Sequence, residues 1–175
     1  MSAPDEEFDY RIRVNFVQEY RDESGKLLDV WRTPICPTLA NVEDELAIFN
    51  AEFSRPKTGV LVLSEPYRIV EDAHTSFPNS SYAGVYFMFD RIGRLLYIGQ
   101  SAGLGTRIGS HFGWNENRTA GVAREARFQE VHHIRTIGLP PENAFEAPAI
   151  ELWFIQRLNP PLNDLHARSR TIISI

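Results

Sequence analysis

The stretch GVYFMFDRIGRLLYIGQS, Gly84 to Ser101, constrains the fold more than any other segment of the chain. Two aromatic and aliphatic runs, Val85 to Phe89 and Leu95 to Ile98, flank the turn-forming residues Asp90-Arg91-Ile92-Gly93, a pattern that predicts a β-hairpin. If those residues form the whole loop, Phe89 pairs with Arg94, Tyr86 falls opposite Tyr97, and both hydroxyls project from one face. On that register Tyr86, Met88, Leu95 and Tyr97 share one face, and Val85, Phe87, Phe89, Leu96 and Ile98 share the other. Both faces are apolar, so the pair is expected at the centre of a sheet covered by helices. A cross-strand tyrosine pair is ordinarily packing, worth about 0.2–1 kcal/mol, and alone carries no chemistry.

The chain divides near Ser80. Before it, Tyr10 to Glu19 and Leu27 to Trp31 read as a hairpin around the turn Asp22 to Lys26. Thr38 to Phe53 has Leu39, Val42, Leu46 and Phe49 at helical spacing, with Thr38 or Asn41 as cap, and Val60 to Leu63 reads as a buried strand. Ser64 to Ser81, with Pro66, Pro78 and paired serines, reads as a connector. After the central hairpin, Gly103-Leu104-Gly105 opens a short helix through Phe112, on which Arg107 and His111 share a face. Gly113 to Arg127 reads as loop passing into a short helix, and Phe128 to Ile137 as a third strand. Ala144 to Leu158 has helical apolar spacing and ends at Asn159-Pro160-Pro161, where proline cannot continue the ladder; Pro148 fits its first turn. The expected fold is α+β: a small, mostly antiparallel sheet around a hairpin flanked by helices, with a hairpin and helix extension. The expected domains are residues 1–81 and 82–175.

Charge is unevenly spread. Residues 1–83 hold 8 Lys/Arg against 15 Asp/Glu, whereas residues 84–175 hold 10 arginines, no lysine and 8 Asp/Glu. An all-arginine set of cations permits a phosphate-gripping surface, although a balance so slight is ordinary for a protein surface. Cys36 is the sole cysteine, which excludes an intrachain disulfide and a Cys-rich metal site. No run of about 18 apolar residues occurs, so the reading is a soluble, cytoplasmic protein without membrane contact. His132 and His133 are adjacent on an expected strand, point to opposite faces and read as structural.

Taken in order, Gly84-Val85-Tyr86, Tyr97-Ile98-Gly99, Arg107 with His111, Glu151 in a later helix, and Asn159-Pro160-Pro161-Leu162-Asn163 resemble the GIY-YIG nuclease family over roughly Tyr82 to Asn163. The resemblance implies an endonuclease, a hydrolase cutting nucleic-acid phosphodiester bonds with one divalent metal, Mg2+ or Mn2+, and DNA as the first-expected partner. In the family's terms Glu151 is the metal carboxylate; magnesium keeps most of its waters and needs one or two carboxylates. Tyr86 is the general base or the positioner of the attacking water, His111 its proton acceptor, Arg107 the phosphate ligand, and Tyr97 an orienting hydroxyl. Gly84, Gly99 and Asn163 support the site. Gln100 stands where some members carry lysine, so help in ionising a phenol of ordinary pKa near 10 must come from elsewhere. Arg118, Arg124 and Arg127, near Trp114, are candidate nucleic-acid contacts.

Three readings are open. One is an active nuclease, either restriction-type or mobile-element, or repair-like or single-strand-directed. The second is a nucleic-acid-binding module without catalysis. The third is an interaction domain whose tyrosines are only core. The joint presence of Tyr86, Tyr97, Arg107, His111 and Glu151 favours the first. Symmetric duplex cutting by a one-metal site calls for a homodimer or two sequential nicks.

Overall fold

In the computed structural model, residues 36–53, 55 and 59–163 are described; the hairpin expected over residues 10–31 lies outside them. Their order is α1 (Leu39–Glu52), β1 (Tyr67–Arg68), β2 (Ala83–Phe89), β3 (Leu95–Ser101), α2 (Leu104–His111), β4 (Phe112–Trp114), β5 (Gly121–Ala123), β6 (His133–Leu139) and α3 (Ala147–Leu158). Four strands form one antiparallel sheet in the order β1-β6-β2-β3, and β4 pairs with β5 separately. The fold is therefore α+β, as the patterning implied.

Strand β2 is central and its seven residues are all buried, which accounts for its unbroken apolar run. Val85, Phe87, Phe89, Leu95 and Ile98 pack with Val42, Leu46 and Phe49 of α1 and Ile150, Phe154 and Ile155 of α3. Tyr86, Met88 and Leu96 pack on the opposite side with Leu104 and Ile108 of α2, Phe112, Phe128 and Ile134. Each fully buried side chain of this size contributes about 1.5–3 kcal/mol, so both layers are needed to hold the sheet. Helix α1, although it precedes the expected boundary at residue 81, shares the core of β2 and β3. Its entry is fixed by the Thr38 N–H donating to Asn41 Oδ1 at 2.9 Å, and Leu39 N–H donates to the Gly93 carbonyl at 3.1 Å.

The hairpin register differs from the sequence expectation. Asp90 N–H donates to the Arg94 carbonyl at 3.0 Å and Gly93 N–H to the Asp90 carbonyl at 3.2 Å, with Gly93 at φ +82°. The loop is thus Arg91-Ile92-Gly93, a tight turn closed by a left-handed glycine. Asp90 Oδ1 also receives the N–H groups of Ile92 and Arg94, at 3.0 and 2.8 Å. A bulge follows: Phe89 pairs with Leu95 but Met88 pairs with Tyr97. Tyr86 consequently faces Gly99, and Tyr97 lies diagonal to it. The bulge also sends Leu95 to the α1 and α3 side and Leu96 to the α2 side, the reverse of the simple alternation.

Other segments depart locally. Val60 to Leu63 is not a strand: Leu61 is buried, but Val60 and Val62 are 68% and 66% exposed. The connector contains β1, and Gly113 to Arg127 folds as the β4–β5 hairpin before a short 3-10 helix, Ala126–Phe128. The third strand starts at His133 rather than Phe128, whose ring is instead fully buried. Pro148 lies in the first turn of α3, and the helix ends at Asn159 in the left-handed region, φ +48°.

Candidate active site

The paired glycine and tyrosine of each run have a steric reason. Tyr86 is directly across from Gly99, and a Cβ at Gly99 would run into the Tyr86 ring and hydroxyl. A Cβ at Gly84 would strike the Ile137 carbonyl and crowd the Leu104 side chain. Gly99 lets β3 close over a phenol that has no solvent exposure, and Gly84 lets β2 pass close to Ile137 of β6.

Helix α2 runs over this face, fixed by Leu104 and Ile108, both fully buried. One turn apart on it, Arg107 bears electrostatically on the Tyr86 oxygen and His111 Nε2 lies 3.0 Å from the same hydroxyl. The rings of Tyr86 and Tyr97 are 6.0 Å apart, as are those of Tyr86 and His111. Four of the five residues assigned by resemblance to the chemistry therefore meet in one cluster. Glu151 is half-buried in α3, which lies across β3 and β2 with Ile150 and Phe154 against the opposite face. Arg157, the arginine nearest to it in sequence, engages Glu45 at 3.6 Å and stands 3.8 Å over the Trp153 ring. Asn163 is buried and fastens the segment after α3 to β3: its Nδ2 donates to the Ile98 carbonyl at 2.7 Å and its Oδ1 accepts the Ile98 N–H at 2.9 Å.

Burial is the dominant electrostatic influence on Tyr86 and pushes its phenol well above the usual range. The neighbouring Tyr97 adds to this, and Arg107 opposes it without prevailing. The lowered phenol pKa sought from the sequence is thus not present in the resting site; Tyr86 rests as a neutral hydroxyl. His111 is shifted the other way: burial lowers its pKa below 6.5, partly offset by Glu125. A neutral His111 beside a protonated Tyr86 can accept a proton from it at neutral pH.

Glu125 is the residue sequence reasoning missed. Its Oε1 lies 2.6 Å from His111 Nδ1, and its Oε2 accepts from Arg127 Nε at 2.8 Å. No spacing rule connects positions 111 and 125, and the only signal was a lone acid between Arg124 and Arg127. The three candidate contact arginines separate: Arg127 lies over the Phe128 ring at 4.4 Å and the Tyr97 ring at 5.4 Å, Arg124 Nε donates to the Phe112 carbonyl at 3.1 Å, and Arg118 is exposed at φ +54°. Trp114 and Arg124 line a cleft with Tyr67, Phe77 and Phe112. His133 stacks on Phe89 at 5.0 Å, and His132 Nε2 is 3.9 Å from Glu71, both structural placements.

A family model for the UvrC-like GIY-YIG domain matches residues 82–164. Residues 82–164 belong to the GIY-YIG family. UvrABC system protein C of Campylobacter jejuni is 33% identical over 106 residues, covering 58% of this chain and 17% of the relative. The protein of the same name from Synechocystis sp. is 40% identical over 82 residues, 47% of this chain and 12% of the relative. The chain spans less than a fifth of the length of these relatives. Among the described residues no helix is long and apolar enough to cross a membrane.

The donor set of the GIY-YIG domain bears on the kind of metal ion it could hold. Among the described residues no group of three or more His, Cys, Asp or Glu side chains converges, so a site built wholly from such ligands does not exist there. A hydrated magnesium-type ion takes oxygen ligands and few carboxylates, the kind of donor that the half-buried Glu151 offers. The residues present fit such an ion.

Proposed function

We propose that the GIY-YIG domain is a metal-dependent endonuclease that hydrolyses DNA phosphodiester bonds, with Tyr86, Tyr97, Arg107, His111 and Glu151 as its site. The observation that carries this reading is the buried contact of the Tyr86 hydroxyl with His111 Nε2, beside the exposed Arg107 of the same helix face. A structural core has no need to bury a phenol against an imidazole, because each desolvated polar group costs stability unless paired.

The chemistry follows from the atoms. Arg107 binds the scissile phosphate and offsets its developing charge. Tyr86 orients the water and receives its proton while passing its own to His111 Nε2. The water oxygen forms the new P–O bond, the bond to the leaving oxygen breaks, and that oxygen takes a proton from solvent. Tyr97 holds a phosphate oxygen or the water through its hydroxyl. Glu151 would hold the metal, which when bound supplies Lewis-acid polarisation of the phosphate. Arg118, Arg124 and Arg127 supply further backbone contacts to the nucleic acid. The match to a UvrC-like family model, and to UvrABC system proteins, supports a repair-like nicking role over a restriction-type one.

The test is incubation of the full chain with supercoiled plasmid and with single-stranded oligonucleotides, in Mg2+ and in EDTA. Nicked circles in Mg2+ but not in EDTA are expected. No cleavage of either substrate in Mg2+ or Mn2+ would leave the binding-module reading in its place.

A further inference from the structure

The endonuclease reading assigns no task to Glu125, and the geometry around it is specific. Its carboxylate is 39% exposed, yet both of its oxygens are engaged. One oxygen is 2.6 Å from Nδ1 of His111, a side chain only 2% exposed, and the other is held by Arg127. The backbone fixes it as well: the Phe128 N–H donates to the Glu125 carbonyl at 3.0 Å, and the preceding Arg124 N–H donates to the His111 carbonyl at 2.8 Å.

On the endonuclease reading, we propose that Glu125 is a positioning residue of the site: it locks the neutral His111 ring with its proton on Nδ1, so that Nε2 faces Tyr86 as an acceptor. The argument is a donor and acceptor count. A carboxylate accepts only, so the short contact requires a proton on Nδ1. The opposite tautomer would set two acceptors 2.6 Å apart and aim an N–H at the hydroxyl that has to give up its proton. With the Nδ1–H form, the Tyr86 O–H donates to Nε2 over 3.0 Å. When Tyr86 takes a proton from water and passes its own on, the resulting imidazolium has its second N–H already on a carboxylate. The same logic orients imidazole bases in other hydrolases, where the acid touches no substrate.

Arg127 keeps Glu125 ionised and in place. The hydrogen bond from His111, then that from Arg127, hold the carboxyl below the usual range. The groups facing His111 are Tyr86 from β2, Tyr97 from β3, Arg107 on its own helix, and Glu125, Arg127 and Phe128 from the segment after β5. The two arginines disfavour protonation of the ring and Glu125 favours it. Activity should therefore rise with pH as His111 loses its proton. Removal of the Glu125 charge should move that acid limb to lower pH while lowering the plateau.

The experiment compares wild type, Glu125→Gln and Glu125→Ala as full chains. Single-turnover plasmid nicking is followed from pH 5 to 9, DNA affinity is measured in Ca2+, and the His111 tautomer is read by nitrogen-15 NMR. Expected are an Nδ1–H tautomer in the wild type and loss of that preference in Glu125→Ala. Glu125→Gln should show a plateau rate about 10- to 100-fold lower, with the acid limb shifted down and DNA affinity within about threefold. Glu125→Gln keeps the size of the side chain, so it reports even if the alanine variant folds poorly. An unchanged plateau and acid limb in Glu125→Gln, or an Nε2–H tautomer in the wild type, would overturn the proposal. A wild type that cuts while Glu125→Gln cuts equally refutes the role of Glu125 alone, whereas a wild type that never cuts refutes the nuclease reading and the positioning role with it.

Discussion

Tyr86→Phe is expected to slow single-turnover cleavage by about 10²- to 10⁴-fold, the range for loss of a positioned acid–base group, with DNA affinity unchanged within a few-fold. The ring is fully buried and packs among Met88, Leu104 and Ile108, and phenylalanine keeps all of that packing. What disappears is the hydroxyl shared by His111 Nε2 and Arg107. Arg107 still reaches the phosphate, so binding persists while the path for the water's proton is cut. His111 is left with an unpaired buried acceptor, a loss of about 1–3 kcal/mol that lowers Tm by some degrees without unfolding the domain. Normal turnover in a folded Phe variant would remove Tyr86 from the chemistry.

Glu151→Ala is expected to lower cleavage by about a thousandfold or more, at any Mg2+ concentration tested. Loss of the metal's protein carboxylate forfeits several kcal/mol of transition-state stabilisation, and each 1.36 kcal/mol is tenfold in rate. Folding should be retained, because the inward side of α3 is built by Ile150, Phe154 and Ile155 while Glu151 is only half-buried. Circular dichroism and plasmid nicking on the same preparation read both. Equal nicking by variant and wild type would reject this carboxylate as the metal ligand.

How far the sequence revealed the site depends on the range of the interactions that form it. The shared face of the two phenols and the pairing of Arg107 with His111 were legible because alternation within a strand and one helical turn are local rules, although the bulge reverses the alternation at Leu95 and Leu96. The register was not legible, because it is set by the Asp90 carboxylate accepting three hydrogen bonds from Ile92 and Arg94 and by a bulge at Leu96, neither of which alternation encodes. The strand expected at Val60 to Leu63 joins no sheet, and although Leu61 is buried and Leu63 packs partly on the core, Val60 and Val62 are exposed, so a short apolar run overstated its burial. Glu125 was invisible for a related reason. The turn of chain that returns it to His111 is a small β4–β5 hairpin in a polar, arginine-bearing stretch with no periodic signature. Asn163 was expected to support the site, and its two hydrogen bonds to Ile98 supply a physical means.

The claim beneath all of this is that the Glu151 carboxylate and the two phenols serve one cation and one phosphate. The most direct measurement is anomalous diffraction from crystals of the full chain soaked in Mn2+ with a short DNA duplex. The account predicts a single manganese peak bonded to a Glu151 oxygen, with a phosphate between it and Arg107 and the Tyr86 hydroxyl facing the same phosphorus. Manganese bound away from Glu151, or DNA seated with no phosphate near Arg107 and Tyr86, would contradict it.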